Sequence, residues 1–270
     1  MRPSSSRSDR RPGRPRFAPV FWVADGPPGA PALLLSNSLG STIEMWDPVL
    51  PTLTEHFQVI RYDTRGHGRS PVPPGPYELD DLVDDAIGVL DRLGLARAHL
   101  AGLSLGGMVS MRMAIRDPDR VGRMALLCTS ARLGPARMWA ERAAAVRAAG
   151  TASIAAAVVS RWITPATAAA DPLLTARLEA MVTSIPDQGY AACCGVIERM
   201  DLRPGLPSIT APTLAVAAAD DQATPPEHLE LIAARIPGAR LEVIPDAAHV
   251  ATLERPDAIG GLLVAHLAEA

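Results

Sequence analysis

Cysteine is scarce: the 270 residues hold three, Cys128, Cys193 and Cys194. Three thiols do not build a disulfide framework, and adjacent Cys193 and Cys194 lack the spacing of zinc ligands. A reducing cytoplasm is the compartment this composition implies. An excess of one charge is also missing. The 26 basic and 29 acidic residues leave a net charge of −3, so nothing pulls the chain as a whole toward nucleic acid or an anionic membrane. No apolar run reaches the roughly 18–20 residues that span a bilayer. Neither H-E-x-x-H nor G-x-G-x-x-G occurs, so no metal and no organic cofactor is expected. Residues 1–16 contain nothing apolar enough for the core of a secretion signal. They carry six arginines and three prolines against one acid, Asp9, and read as a disordered, solvated tail. A basic arm for an anionic partner is the sharper alternative, and a start codon set too far upstream would also explain part of it.

What remains is rich in core material. Hydrophobic residues make up 48% of the chain, enough for one large domain or two small ones. The most informative stretch is Gly102-Leu103-Ser104-Leu105-Gly106. It fits G-x-S-x-G, a sharp strand-to-helix turn that presents a serine hydroxyl at the carboxyl edge of a sheet. Its glycines, lacking Cβ, let strand and helix approach closely. Ala98 to Ala101 before it reads as a buried strand, and Leu105 to Ile115 after it as a helix stopped by Asp117-Pro118. The bland alternative is a Gly-rich turn with an idle serine.

Strand-like and helix-like stretches alternate on either side. Strands are expected at Phe17–Ala24, Ala32–Ser36, Phe57–Tyr62 and Val121–Cys128, and helices at Met45–His56 and Leu79–Leu93. The strands are apolar throughout, the mark of a parallel sheet covered on both faces. The rhythm breaks over 131–206, which is Ala-rich and dotted with arginine. Helices are expected near Ala136–Ala148, Ala152–Trp162, Leu173–Val182 and Gly189–Met200. This segment reads as a helical cap inserted into a core of 17–130 and 207–270. Beyond it come strands at Thr213–Ala217 and Arg240–Ile244 and helices at Pro226–Arg235 and Asp257–Leu267.

A serine nucleophile needs a base, and the base an orienting acid, in the chain order Ser…Asp…His for this kind of elbow. Of six histidines, His249 follows the last strand in a loop that opens onto the same sheet edge as Ser104. His67 also leaves a strand but lies upstream of the serine, where a loop-shaping role suffices. No carboxylate occupies 128–133, so Asp220 and Asp221 are the candidates. Asp221 is preferred, because Asp221-Gln222-Ala223-Thr224-Pro225 turns into a helix. Asp246 shares a loop with His249, which is poor geometry for a bond to the ring. Ser104, Asp221 and His249 are therefore the expected triad. Two backbone N–H groups would hold the oxyanion: Leu105, next to the nucleophile, and Leu39 after the first core strand, with Ser38 as runner-up.

With these residues placed, the chain resembles the α/β-hydrolase family, and within it the 3-oxoadipate enol-lactone hydrolases of bacterial aromatic catabolism. The resemblance spans roughly 17–268. It is carried by Leu35-Ser36-Asn37-Ser38-Leu39-Gly40, Tyr62-Asp63-Thr64-Arg65-Gly66-His67-Gly68, the elbow, Arg161-Trp162-Ile163-Thr164-Pro165 and Gly189-Tyr190-Ala191-Ala192-Cys193-Cys194. The loop and elbow motifs are widely shared; the two cap segments are more specific. Asn37-Ser38 stands where the wider family commonly has His-Gly. The resemblance implies an α/β-hydrolase fold: a mostly parallel sheet flanked by helices, with a helical cap. It implies a small lactone or ester substrate carrying a carboxylate, for which Arg132, Arg137, Arg161, Trp139 and Trp162 are candidate cap contacts. An arginine on an Ala-rich helix is as readily a solvated face, and a tryptophan there a core residue. A generic carboxylesterase and a carbon–carbon bond hydrolase share this triad and stay open. So does a non-catalytic binding module of the same fold, against which a complete triad weighs. A dehalogenase or epoxide hydrolase would place a carboxylate where Ser104 stands. Oligomeric state is not readable.

Overall fold

The computed structural model describes residues 19–269; the tail expected over 1–16 lies outside the described residues. Seven strands form one sheet: β1 (Trp22–Asp25), β2 (Ala32–Ser36), β3 (Gln58–Tyr62), β4 (Ala98–Leu103), β5 (Val121–Leu127), β6 (Thr213–Ala218) and β7 (Arg240–Ile244). Their order is β1-β3-β2-β4-β5-β6-β7. Only β1, at an edge, runs antiparallel to its neighbour; the other pairings are parallel. The sheet is thus mostly parallel, as the apolar strands require. Successive side chains point to opposite faces. Leu34 and Ile60 therefore join one buried cluster, while Leu33, Leu35 and Val59 join the other.

The helices are α1 (Leu50–Thr54), α2 (Leu79–Arg92), α3 (Leu105–Arg116), α4 (Ala136–Ala149), α5 (Ala155–Val159), α6 (Pro165–Ala170), α7 (Pro172–Ser184), α8 (Asp187–Arg199), α9 (Pro226–Arg235), α10 (Ala251–Glu254) and α11 (Pro256–Leu267). Buried residues of α2, α3, α8 and α9 belong to the first cluster, and those of α7 and α11 to the second. Helices therefore cover both faces. Five of them, α4 to α8, fall between β5 and β6, the stretch read as a cap.

Several boundaries differ from expectation. The first strand is shorter and later than Phe17–Ala24. The helix expected over Met45–His56 is a 3₁₀ run, Ile43–Val49, followed by α1. Pro48 falls inside that run, where its missing N–H and its ring interrupt a continuous α-helix. The stretch Ala152–Trp162 is cut to α5, and α6 is an additional helix. Thr164 starts α6 and Asp171 starts α7, each with a side-chain oxygen accepting a backbone N–H and proline following at once. These are N-cap and first-turn signals that mark new helix starts.

One contact fixes α8 to the sheet edge. Gly189 of α8 lies directly on Gly66 of the loop after β3, and a Cβ on either would run into the other's backbone. The three cysteines are buried and form no disulfide. Cys193 and Cys194 sit in the first cluster and Cys128 in the second. Among the described residues no helix is long and apolar enough to cross a membrane.

Candidate active site

Ser104 sits between the end of β4 and the start of α3, with φ 57° and ψ −116°. A non-glycine residue there is strained, at a cost on the order of 1–3 kcal/mol, and persists only where its surroundings hold it. They do so here. The Ser104 N–H donates to the Leu127 carbonyl at 3.0 Å. The Ser104 carbonyl accepts from the Thr129 hydroxyl at 2.6 Å and from the Met108 N–H at 3.1 Å. A Cβ on Gly106 would collide with the Ser36 backbone, and one on Gly102 with the Gly106 carbonyl. Both glycines are needed for α3 to start this close to β2 and β4.

The end of the sheet also carries the imidazole of His249, beyond β7. His249 is buried, and its Nδ1 lies 2.9 Å from Asp221 Oδ2. An ionised carboxylate only accepts, so the proton of this contact is on Nδ1. Asp221 also accepts from the N–H groups of Ala223 at 2.7 Å and Thr224 at 3.0 Å, and from the Thr224 hydroxyl at 2.7 Å. Burial alone would raise its pKa. The charge and hydrogen bond of His249 and the two Thr224 bonds outweigh that and bring it down to about 2. Asp220 is exposed, and its backbone N–H, not its side chain, contacts the base loop, at Ala247 O. No hydrogen bond joins Ser104 Oγ to His249 in this structure; in free enzymes such bonds are often long and tighten with substrate.

Asn37 braces the loop after β2, donating to Tyr62 O and accepting from Trp46 Nε1, each at 2.9 Å. Ser38 N–H faces the Met45 sulfur at 3.4 Å, and Gly40 N–H donates to His67 Nε2 at 3.1 Å. Between them, the Leu39 N–H donates to no group among the described residues, and neither does Leu105 N–H at the first position of α3. Free backbone donors at these two positions suit a developing oxyanion. His67 is fully buried, and burial, opposed by its bond to the Arg65 carbonyl, lowers its pKa to about 4. It is neutral near pH 7, so Nε2 is available to hold Gly40.

An α/β-hydrolase fold model matches residues 31–256. The chain belongs to the α/β-hydrolase fold family. It is similar to 3-oxoadipate enol-lactonase 2 of Acinetobacter baylyi, 36% identical over 237 residues that cover 88% of each chain. It is also similar to RutD of Stutzerimonas stutzeri, a proposed carbamate hydrolase, 29% identical over 248 residues that cover 90% of this chain and 93% of that one. The crystal structure of the enol-lactonase from Burkholderia xenovorans superposes with a TM-score of 0.91 at 39% identity, covering 93% of this chain and 96% of that chain.

The residues of 131–206 expected to contact substrate divide sharply. Arg137 projects into solvent, its side chain 86% exposed and paired with Glu141. Arg132 is also half-exposed, 4.0 Å from Asp201. Trp139 is core: its indole N–H donates to Leu133 O at 3.0 Å, and Arg142 stacks on its ring at 4.6 Å. Trp162 and Tyr190 are as deeply buried as Trp139, but in another place. A Cβ on Gly40 would lie 3.7 Å from Trp162 Cζ2 and 2.9 Å from Tyr190 Cε2, so both rings rest on the loop that carries Leu39. Arg161 is half-buried; burial and the Arg142 charge, against a smaller pull from Tyr190, lower its pKa. It lines a cleft of about 520 Å³ with Thr164, Asp220, Asp221, Gln222 and Ala248. A larger cleft, about 600 Å³, runs between the 3₁₀ turn and α7 and is lined by none of Ser104, Asp221 and His249.

Two residues beside the candidate site escaped sequence reasoning: one bonds the Asp221 carboxylate and the other the backbone of Ala248. Thr224, three residues after Asp221, clamps the carboxylate, and an Asp followed at three by Thr in a turn was the available signal. Glu254 has no local signal at all. No group of three or more His, Cys, Asp or Glu side chains among the described residues is arranged to hold a metal ion.

Proposed function

We propose that this α/β-hydrolase opens 3-oxoadipate enol-lactone to 3-oxoadipate through an acyl-enzyme on Ser104. The observation that carries the reading is the 2.9 Å His249–Asp221 pair at the same sheet edge as the strained serine. The named activity of the Acinetobacter and Burkholderia relatives supports the substrate. Ser104 Oγ attacks the lactone carbonyl while His249 Nε2 takes its proton, and Leu39 and Leu105 N–H hold the oxyanion. Collapse breaks the ring C–O bond, and His249 returns the proton to the leaving enol oxygen. The enol becomes a ketone, which makes ring opening downhill. Water, activated by the same imidazole, then releases the acid from Ser104. Asp221 keeps Nδ1 protonated and stabilises the imidazolium in both steps. Arg161 is the cap cation for the substrate carboxylate and Trp162 the apolar wall; the exposed Arg137 and the core Trp139 drop out of that role.

The test is one assay of the purified protein on the enol-lactone, p-nitrophenyl acetate and a small carbamate, with Ser104→Ala as control. Fast lactone opening, slow ester cleavage and no turnover by the variant are expected. Lactone hydrolysis retained in Ser104→Ala would remove the acyl-enzyme mechanism. Similarity to RutD favours a second reading, carbamate hydrolysis by the same triad, which a carbamate preference would establish.

A further inference from the structure

The base loop is tied to the helical segment above it, and the tie runs through one buried carboxylate. Glu254, the last residue of α10, is 8% exposed. Its Oε1 accepts from the Thr164 N–H at 2.9 Å, the Thr164 hydroxyl at 2.9 Å and the Thr167 hydroxyl at 2.6 Å. Its Oε2 accepts from the Ala248 N–H at 2.6 Å. Thr164 and Glu254 are 90 residues apart in sequence, and Ala248 immediately precedes His249. A second tie lies on the other side of the histidine, where Val250 N–H donates to the Trp162 carbonyl at 2.9 Å. Both neighbours of His249 are thus bonded, one directly and one through Glu254, to the stretch 162–167. Trp162 in that stretch rests its ring against the loop of Leu39.

A buried carboxylate without an ion pair is costly unless hydrogen bonds satisfy it. No ion pair to Glu254 occurs among the described residues, and four donors converge on it instead. Two of those donors are backbone N–H groups on opposite sides, so each oxygen must accept. Only a carboxylate does this at both ends; an amide presents one oxygen and one donor group.

We propose that Glu254 is a positioning residue that locks the His249 loop to segment 162–167, so that the imidazole and the ring of Trp162 move as one body. It touches no reacting atom. Its effect is the fixed placement of the base relative to the surface against which substrate is held. This rests on His249 acting as the base, as proposed above.

The experiment compares wild type, Glu254→Gln and Thr167→Val. Active sites are titrated with a fluorophosphonate, kcat and KM are measured per titrated site, and amide exchange is followed by NMR at Thr164 and Ala248. Glu254→Gln should lower kcat per active site by about 10–100-fold, the scale of a misplaced catalytic group, with little change in KM. Both amides should exchange faster. Thr167→Val, which removes one donor only, should shift kcat in the same direction by less, and keeps the test decisive where Glu254→Gln does not fold. A merely structural role would reduce the titratable fraction and the Tm and leave kcat per site unchanged, and that result overturns the proposal. Faster exchange at Thr164 alone overturns it too. Wild type lacking any Ser104-dependent turnover would instead remove the proposed function, and joint exchange of the two amides would still decide the coupling.

Discussion

Asp220 and Asp221 are the same side chain one position apart, and only their surroundings distinguish them. One is exposed; the other is buried and receives four hydrogen bonds. Asp221→Asn should lower kcat by about 10⁴-fold through loss of the right imidazole tautomer, while Asp220→Asn leaves it near wild type; steady-state kinetics of the two variants decides, and the reverse ranking would move the acid. His67 offers a second comparison at this scale. Gln in its place still offers an acceptor to Gly40 N–H, and Leu does not. His67→Leu should therefore lower kcat by about 10²–10³-fold, the scale of one lost oxyanion donor, with His67→Gln retaining most of it. Equal losses in both variants would contradict this role. The placement of Ser104 on a strand-to-helix turn and of His249 in the loop after β7 was legible from local pattern. Thr224 was within reach of turn chemistry. The pairing of Glu254 with Thr164 was not, because nothing in either neighbourhood announces a partner 90 residues away.

At the scale of elements, the long helices within 131–206 were readable from its alanine-rich composition, and the division of 152–170 into two short helices was not. Thr164-Pro165 starts a helix that the alanine-rich composition does not announce, whereas the helix begun by Asp171-Pro172 lies close to the one expected at Leu173–Val182. The direction in which a helix faces is harder still. Arg137 and Arg161 look equivalent on paper, yet one is solvated beside Glu141 and the other half-buried in the cleft that Asp221 lines. Arg161→Ala should raise KM for a carboxylate-bearing lactone by about 10–100-fold, the worth of a charge-assisted hydrogen bond. Arg137→Ala should leave KM unchanged; if the two variants behave alike, the cap cation lies elsewhere. The seating of α8 has its own test. Gly189→Ala drives a methyl into the Gly66 backbone, and its urea midpoint should fall by the equivalent of about 1–3 kcal/mol. An unchanged midpoint would mean that α8 is free to shift.

For the whole molecule, the alternation of apolar strands and helices made the sheet type legible, but not the strand order, which depends on packing between distant segments. The same packing sets the response to acid. His67, with a pKa of about 4, is joined by His99 and His266, both lowered first by burial and then by the Arg123 charge. A histidine held neutral in the fold takes up its proton more readily once unfolded, so stability falls as pH drops below about 6.5. For His67 the loss levels off near pH 4 and is on the order of 3 kcal/mol. Asp221, held down to about 2, adds a contribution that is present above about 3.9 and disappears as pH falls toward its folded value. Urea unfolding at pH 7 and pH 4.5 should therefore show a clear drop, reduced in His67→Gln. A flat profile would mean that His67 is not kept neutral.

The burial of the three thiols gives the protein an internal reporter. Cys193 and Cys194 lie on α8, packed on one side of the sheet, and Cys128 at the end of β5 on the other. Burial raises all three pKa values, so a thiol-specific label reacts only with a chain that has opened. Mass spectrometry of partly labelled protein then reads which layer comes apart first. Labelling of Cys193 and Cys194 ahead of Cys128 would mark the cap helices as a separate, weaker unit, whereas simultaneous labelling would mark one cooperative body.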